Sequence, residues 1–232
     1  MKKRRSLLQV FAAAMIVLFL CGCQAEEIVP AGPAASPALP PAPTATPVLT
    51  WAEEDVAAEG MAALDGSYIV LLEHKGEVPI PNVSVQVTFE PTGVTLEQEA
   101  GCLEPGSKKA LCFWCVDENY APADFAEASL KVTCSDKESG FACGESRLQV
   151  NKGQEGTAVT LKNTGKNIRE LEAIAVFWKG SEPVGCSPAN KKTDLGAGKS
   201  WTVEFLPPID GQSRPMEYDR YEVYITRAWT EK

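Results

Sequence analysis

The feature that most constrains the fold of this chain is an internal repeat of short, strand-like segments. Each of four segments in the first half has a counterpart in the second half. The matching pairs are residues 68–76 with 157–165, 82–89 with 170–177, 103–106 with 195–198, and 129–133 with 221–225. The offsets between the copies are 89, 88, 92 and 92 residues. Such a constant spacing indicates two similar structural units in tandem.

Each repeated segment has the pattern of a β-strand. Val83, Val85, Val87 and Phe89 alternate with polar residues, so one face of an extended segment is apolar and the other is polar. Short alternating runs rich in Val, Ile, Thr and aromatics, bounded by Gly, Pro or Asn, are typical of antiparallel sandwiches. We therefore predict an all-β fold with two tandem immunoglobulin-like antiparallel β-sandwich domains.

The predicted domains span residues 65–138 and 139–232. They join in the polar, turn-rich segment around residues 135–144.

The second copy also carries a family resemblance. Residues 159–178, VTLKNTGKNIRELEAIAVFW, resemble the FxLYD domains, which are small immunoglobulin-like extracellular modules of bacterial lipoproteins. The resemblance covers roughly residues 145–232 and, more faintly, 66–134, and residues 176–179 (VFWK) stand near the place of the naming motif. It implies a sandwich fold and an extracellular location, and the family has no catalytic residues to transfer.

The N-terminus has the layout of a secretory signal. Four basic residues at positions 2–5 precede an apolar run, Leu7–Leu20, which ends in Leu20-Cys21-Gly22-Cys23. A run of this length suits a cleaved signal better than a membrane span, which needs about 20 apolar residues. The ending resembles the lipobox of bacterial lipoproteins, so residues 1–22 are expected to be removed and Cys23 to carry the lipid. The alternative is an uncleaved signal anchor.

A proline-rich segment follows the predicted lipidation site. Residues 30–47 include seven prolines with Ala, Thr and Ser between them, a composition that cannot form a hydrophobic core. We expect residues 23–50 to be a disordered linker, in which the proline-rich residues 30–47 extend at about 3.1 Å per residue and so reach roughly 55 Å. Residues 51–64 are rich in Ala and Glu and are expected to form a short helix or an irregular lead-in.

The charge balance excludes one class of partner. Removal of residues 1–22 takes away four of the 22 basic residues and none of the 31 acidic ones, so the mature net charge is 18 − 31 = −13. Because binding to phosphates needs a basic surface, nucleic acid is not expected as a partner. The same charge disfavours contact of the folded domains with an anionic membrane.

Six cysteines remain in the predicted extracytoplasmic part, and their pairing cannot be deduced from the sequence. They are Cys102, Cys112, Cys115, Cys134, Cys143 and Cys186. An even number in a secreted chain suggests disulfides, and six cysteines allow fifteen pairings. Cys112 and Cys115 form a CxxC sequence in an apolar strand, where residues three apart face opposite sides, so they are not expected to share a metal or a bond. In an anaerobe, all six could remain buried thiols.

The sequence offers few candidates for catalysis or metal binding. Residues 196–200 (GAGKS) resemble part of a phosphate-binding loop but lack its first glycine and precede a strand rather than a helix. His74, the only histidine, is expected at a surface turn. Asp117, Glu118, Asn119 and Asp124 lack the spacing of a calcium loop. We therefore predict no catalytic residues, metal or cofactor.

Trp114 is the one candidate for a binding surface. Trp178 and Trp201 fall in predicted strands and are expected in the cores. Trp114 is adjacent to Phe113 in a strand, so the two must face opposite sides. One of them must therefore point outward or toward the other domain.

Two functional hypotheses follow. The first is a non-enzymatic lipoprotein, anchored by its lipid on the extracytoplasmic face of the cell membrane, with a binding or structural role at the envelope. The alternative is a carbohydrate- or solute-recognition lipoprotein serving a transporter or hydrolase. The expected partners are the membrane, through the lipid, and an envelope protein or glycan.

Overall fold

The structure is a computed structural model that describes residues 50–90, 92–114, 128–136, 141–154 and 156–231. These described residues belong to one compact unit, in which the strands form two groups. Those of lobe 1 are β1 (Val56–Ala62), β2 (Ser67–His74), β3 (Ile80–Phe89), β4 (Val94–Leu103), β5 (Lys108–Trp114) and β6 (Ala128–Ser135). Those of lobe 2 are β7 (Phe141–Cys143), β8 (Leu148–Lys152), β9 (Ala158–Asn163), β10 (Ile168–Lys179), β11 (Glu182–Pro188), β12 (Lys192–Leu195), β13 (Ser200–Glu204) and β14 (Arg220–Glu231).

The described part of the chain is all-β, as the sequence predicts, and every strand pair in the sheets is antiparallel. Lobe 1 is a sandwich of two sheets with strand orders β1-β2-β5 and β4-β3-β6. Its core lies between them and includes Val70, Val85, Phe89 and Phe113, each at most 1% exposed. The alternation along β3 places Val83, Val85, Val87 and Phe89 inside, and this burial fixes the register of the strand.

Lobe 2 repeats this arrangement. One sheet has the order β8-β9-β13, and the other has β11-β10-β14-β7, with β12 also paired to β10. In lobe 2, β11 and β12 take the place of β4, and β7 is added at the far edge. Its core includes Leu161, Leu171, Phe177 and Phe205, each at most 1% exposed.

The same backbone hydrogen bonds close both lobes at one corner. In lobe 1, His74 N–H donates to the Ser107 carbonyl and Gly106 N–H donates to the His74 carbonyl, at 3.0 and 3.1 Å. In lobe 2, Asn163 makes the equivalent bonds with residues 198 and 199, at 2.8 and 2.9 Å. Two copies with one sheet order and the same corner contacts fit the repeat found in the sequence.

The last repeated strand needs a one-residue correction. Matching residues 129–133 to 221–225 pairs Leu130 with the outward-facing Glu222. In the structure, Leu130 and Val132 pack against the core of lobe 1, whereas Val223 and Ile225 pack against that of lobe 2. The offset is therefore 223 − 130 = 93. Side chains alternate with a period of two, so a one-residue error reverses the assigned faces.

The lead-in at residues 51–64 differs from the expected helix or irregular segment. A 3₁₀ turn, Glu53–Asp55, is followed by β1, which pairs with β2 at seven consecutive positions from Val56 to Ala62. The Ala- and Glu-rich composition favours a helix locally. Pairing with the buried strand β2 overrides that preference.

The two lobes pack sheet against sheet. The outer face of β1-β2-β5 in lobe 1 contacts the outer face of β11-β10-β14 in lobe 2, which makes four layers. The lobe interface contains a third apolar cluster with Ile69, Ala110, Ile174, Val176 and Trp178, each at most 5% exposed. Where this cluster lies, the inner two sheets are therefore apolar on both faces.

Candidate binding grooves at the lobe interface

Among the described residues, two disulfides link the lobes. Cys102 in β4 bonds to Cys143 in β7, and Cys112 in β5 bonds to Cys186 in β11, with Cα–Cα distances of 5.8 and 6.7 Å. Each bond joins a strand of lobe 1 to a strand of lobe 2. Cys134 is a buried free thiol, and burial raises its pKa to about 11, with a smaller contribution from Glu53 and Asp55. Cys115 lies outside the described residues.

A buried ion pair adds a polar link between the lobes. The ammonium of Lys109, whose side chain is 1% exposed, donates to the carbonyls of Ala100 in lobe 1 and Thr226 in lobe 2, at 2.7 and 2.9 Å. Its third contact is Glu145 Oε1, at 2.5 Å. The ammonium therefore has two hydrogen bonds and one ion-pair contact in the interior. Burial lowers the pKa of Lys109 and raises that of Glu145, and the charge of each partner opposes the shift of the other.

The turn between β1 and β2 also reaches lobe 2. Asp65 N–H donates to the Val184 carbonyl at 2.9 Å. The carboxylate of Asp65 accepts from the hydroxyl of Ser67, at 2.6 Å, and from the backbone N–H of Cys186, at 3.3 Å. Burial raises the pKa of this carboxyl above its usual value, and the hydrogen bonds offset only part of that rise.

One groove opens at the lobe interface beside Trp114. This Trp114 groove has a volume of about 460 Å³, within the range of roughly 300–1,000 Å³ that is usual for small-molecule sites. Trp114 is 46% exposed, whereas Phe113 is buried in the core of lobe 1. Of these two neighbours, Trp114 is therefore the one that points out of the lobe 1 core. The polar side chains of the groove come from both lobes: Gln98, Glu172, Asn190, Lys191 and Thr226.

A second groove, of about 400 Å³, has charged side chains at six of its twelve lining residues. In this charged groove, Lys108 pairs with Glu73 at 3.3 Å, and Arg220 lies over the ring of Trp178 with 5.0 Å to its centre. Its remaining polar wall includes Tyr224, whose hydroxyl donates to Glu222 at 2.6 Å. Burial is the main cause of the raised pKa of Tyr224. The charged groups named here therefore have partners within the protein.

The expected surface position of His74 is wrong. Its side chain is 1% exposed, and both ring nitrogens are buried without a hydrogen-bond partner among the described residues. The residue lies at the last position of β2, where the corner of lobe 1 closes over it. Its counterpart Asn163 is also buried, but its amide donates to the carbonyls of Lys166 and Leu195, at 2.8 and 2.7 Å.

The other sequence candidates are placed as follows. Residues 196–199 form a turn that leads into strand β13, which begins at Ser200, as expected. The calcium candidates Asp117, Glu118, Asn119 and Asp124, and the predicted lipidation site Cys23, lie outside the described residues. Within the described ranges, no group of three or more His, Cys, Asp or Glu side chains is arranged to hold a metal ion.

No helix in the described part of the chain has the length and apolarity needed to span a membrane. The apolar run at residues 7–20 lies outside that part.

No protein-family model matches the chain, and no curated protein matches it either. The FxLYD resemblance therefore remains a prediction from residues 145–232.

The lobe interface itself was missed from the sequence, although a signal for it exists. Residues 173–178, AIAVFW, form an unbroken apolar run in β10, whereas the matching part of β3 alternates. A continuous apolar run is typical of a strand that is buried on both faces. The polar residues of the Trp114 groove had no such signal, because they come from distant parts of the chain.

Proposed function

We propose that this protein is a non-enzymatic lipoprotein, anchored through Cys23 on the extracytoplasmic face of the cell membrane, that binds an envelope component. The cross-linked pair of sandwiches is the binding body, and residues 23–50 are the linker that holds it away from the membrane. The observation that carries the binding role is the pair of grooves at a lobe interface closed by Cys102–Cys143 and Cys112–Cys186. Disulfides are usual in oxidising compartments outside the cytoplasm, which supports the proposed location.

The anchoring is tested by Cys23→Ser. Without the thiol the chain cannot receive a thioether-linked lipid, so we expect the mutant to keep its leader or to be released from the membrane. Fractionation of cells and mass spectrometry of the N-terminus measure this. Cys21→Ser is the matched control, because it changes a cysteine two residues away and leaves the predicted acceptor in place.

The wild type and Cys21→Ser are expected to be lipidated and membrane-bound. A Cys23→Ser chain that loses its leader and stays in the membrane as the wild type does would contradict the proposal. Turnover of an envelope substrate by the purified protein would contradict its non-enzymatic part.

A second candidate function is recognition of a carbohydrate or small solute on behalf of a transporter or hydrolase. The Trp114 groove favours it, because an exposed aromatic ring lies beside polar side chains in a concave site. The two candidates share the anchor and differ in the bound component. Pull-down of the lipidated protein from its own cells separates an envelope protein from a glycan.

A further inference from the structure

We propose that the Trp114 groove is a binding site for a neutral oligosaccharide. The inference rests on the proposed binding role and names the class of ligand. It depends on the availability of the Trp114 ring, on the charge state of the groove, and on the way its polar side chains are held.

The ring of Trp114 is available to a ligand, in contrast to that of Trp178. Trp114 is 46% exposed at the end of an edge strand, whereas Trp178 is 5% exposed and lies beneath the guanidinium of Arg220. An exposed indole offers a flat apolar surface with a polar N–H at its edge. A pyranose ring, with one face of C–H groups and hydroxyls around its rim, matches such a surface.

The charged side chains of the Trp114 groove are already paired. Glu172 accepts a hydrogen bond from Arg227 at 3.2 Å, and the ammonium of Lys191 lies 2.7 Å from Glu170. A charged ligand would have to compete with these ion pairs. A hydroxyl can donate to a carboxylate and accept from an ammonium while both pairs stay intact, so a neutral, hydroxyl-rich ligand fits better.

The polar groups are also held in position before any ligand binds. Gln98 donates from Nε2 to the Cys112 carbonyl at 2.7 Å, and Cys112 is itself tied to Cys186 of lobe 2. The ion pairs restrict Glu172 and Lys191 less strongly, because these side chains are 30% and 43% exposed. Pre-positioned groups reduce the ordering cost of binding, which matters for a ligand that binds mainly through hydroxyl groups.

A neighbouring apolar groove gives the competing explanation. It shares Trp114 and Pro188 with the Trp114 groove and is lined by Leu206 and Ile209, which are 73% and 54% exposed. An exposed apolar patch of this kind can mark a protein interface. The experiment must therefore separate Trp114 as part of a sugar site from Trp114 as part of an apolar protein contact.

The test uses the whole chain as isolated from cells and a panel of immobilised neutral hexasaccharides: β-1,4-linked glucan, mannan, xylan and chitin, and α-1,4-linked glucan. The hexasaccharide that binds is then titrated by calorimetry against four variants. We expect Trp114→Ala to weaken binding by roughly tenfold or more and Trp114→Phe to stay within about threefold of the wild type, because the aromatic face is kept.

Val150→Ala and Leu206→Ser are the matched controls. Each removes an exposed apolar side chain, Val150 on lobe 2 away from the groove and Leu206 in the neighbouring apolar groove. Both are expected to bind as the wild type does. Thermal melting checks that each variant is folded, and Trp114→Phe keeps the test valid if Trp114→Ala unfolds.

Three results would overturn the proposal: no hexasaccharide binds, Trp114→Ala binds as tightly as the wild type, or Leu206→Ser loses as much affinity as Trp114→Ala. The last would indicate an apolar protein contact. Because binding is measured on isolated protein, a negative result leaves the anchoring by Cys23 and the broader binding role to be judged by fractionation and pull-down.

Discussion

At the scale of single residues, the polar link between the lobes depends on Lys109. Its ammonium lies in the interior and is satisfied by two carbonyls and one carboxylate. Loss of one partner of a buried ion pair leaves an uncompensated charge, which costs more than the pair itself contributes. The neighbouring residue, Lys108, makes an ion pair whose side chains are 63% and 43% exposed, and such surface pairs contribute little.

Glu145→Gln is therefore expected to lower the free energy of unfolding by about 3 kcal/mol, since it leaves the Lys109 charge buried without its counter-ion. The matched control, Glu73→Gln, removes the carboxylate that pairs with Lys108 and is expected to cost less than about 1 kcal/mol. Urea denaturation of both variants at neutral pH measures the difference. An equal decrease in the free energy of unfolding for both variants would contradict the burial of the Lys109 ammonium beside Glu145.

Burial also decides the chemistry of Cys134. Its pKa of about 11 keeps the thiol protonated at neutral pH, so a thiolate is scarce there. The residue behaves as a small apolar side chain of the lobe 1 core.

At the scale of elements, the corner turns show what the repeat keeps. Gly106 and Gly198 occupy equivalent positions with φ of 73° and 71°, and each donates a backbone hydrogen bond across its corner. A side chain at such a φ is strained even where space is available. The turn at residues 196–199 thus needs glycine at position 198 for its backbone conformation, which accounts for Gly198 without a phosphate ligand.

We expect Gly198→Ala to destabilise the protein by about 1 kcal/mol, because alanine disfavours the left-handed conformation. Gly196→Ala is the matched control. Its φ lies outside the left-handed region, and an added Cβ would meet no atom closer than 3.5 Å, so a change within about 0.5 kcal/mol is expected. Thermal unfolding compares the two, and an equal or larger effect of Gly196→Ala would contradict the assigned conformations.

The strands show where local pattern was sufficient and where it was not. The alternation of Val83 to Phe89 predicted both the strand and its buried face. The composition of residues 51–64 pointed to a helix or an irregular segment, but pairing with β2 made β1. Local propensity yields to pairing wherever a buried strand offers a free edge.

At the scale of the whole molecule, the two copies are similar in fold but meet through different faces. Lobe 1 uses its β1-β2-β5 sheet, whereas lobe 2 uses the sheet that contains β10, which is the counterpart of the β4-β3-β6 sheet. The contact therefore joins two non-equivalent sheets of the repeat. At the positions where β3 has Gln86 and Thr88, β10 has the buried Ile174 and Val176. The repeat therefore keeps the core residues and exchanges polar for apolar residues only on the face that is covered.

Both disulfides act at this scale, because they cross the lobe interface. We expect peptide mapping without reduction to recover Cys102 linked to Cys143 and Cys112 linked to Cys186. Replacing Cys112 and Cys186 together by alanine is expected to cost about 2–5 kcal/mol, as is typical for a native disulfide. Cys134→Ala, which removes a free buried thiol, is the matched control and should cost about 1 kcal/mol or less.

A disulfide between Cys112 and Cys115 would contradict these pairings. So would free thiols at all four of the paired positions in protein isolated without reductant. The second outcome would instead match the anaerobe alternative, in which all the cysteines stay reduced.

The sequence by itself determined the fold class and the repeat, because alternation and turn residues are local and each copy contains its own core pattern. It also placed Trp114 and Phe113 on opposite faces of a strand. The tertiary structure decided which cysteines meet, that His74 is buried, and that Trp114 borders a groove with Gln98 and Glu172. The disulfides and the groove depend on contacts between the lobes, and the burial of His74 depends on the closed corner of lobe 1. In each case residues far apart in the chain come together, and pairwise contact of that kind leaves no periodic trace in a single sequence.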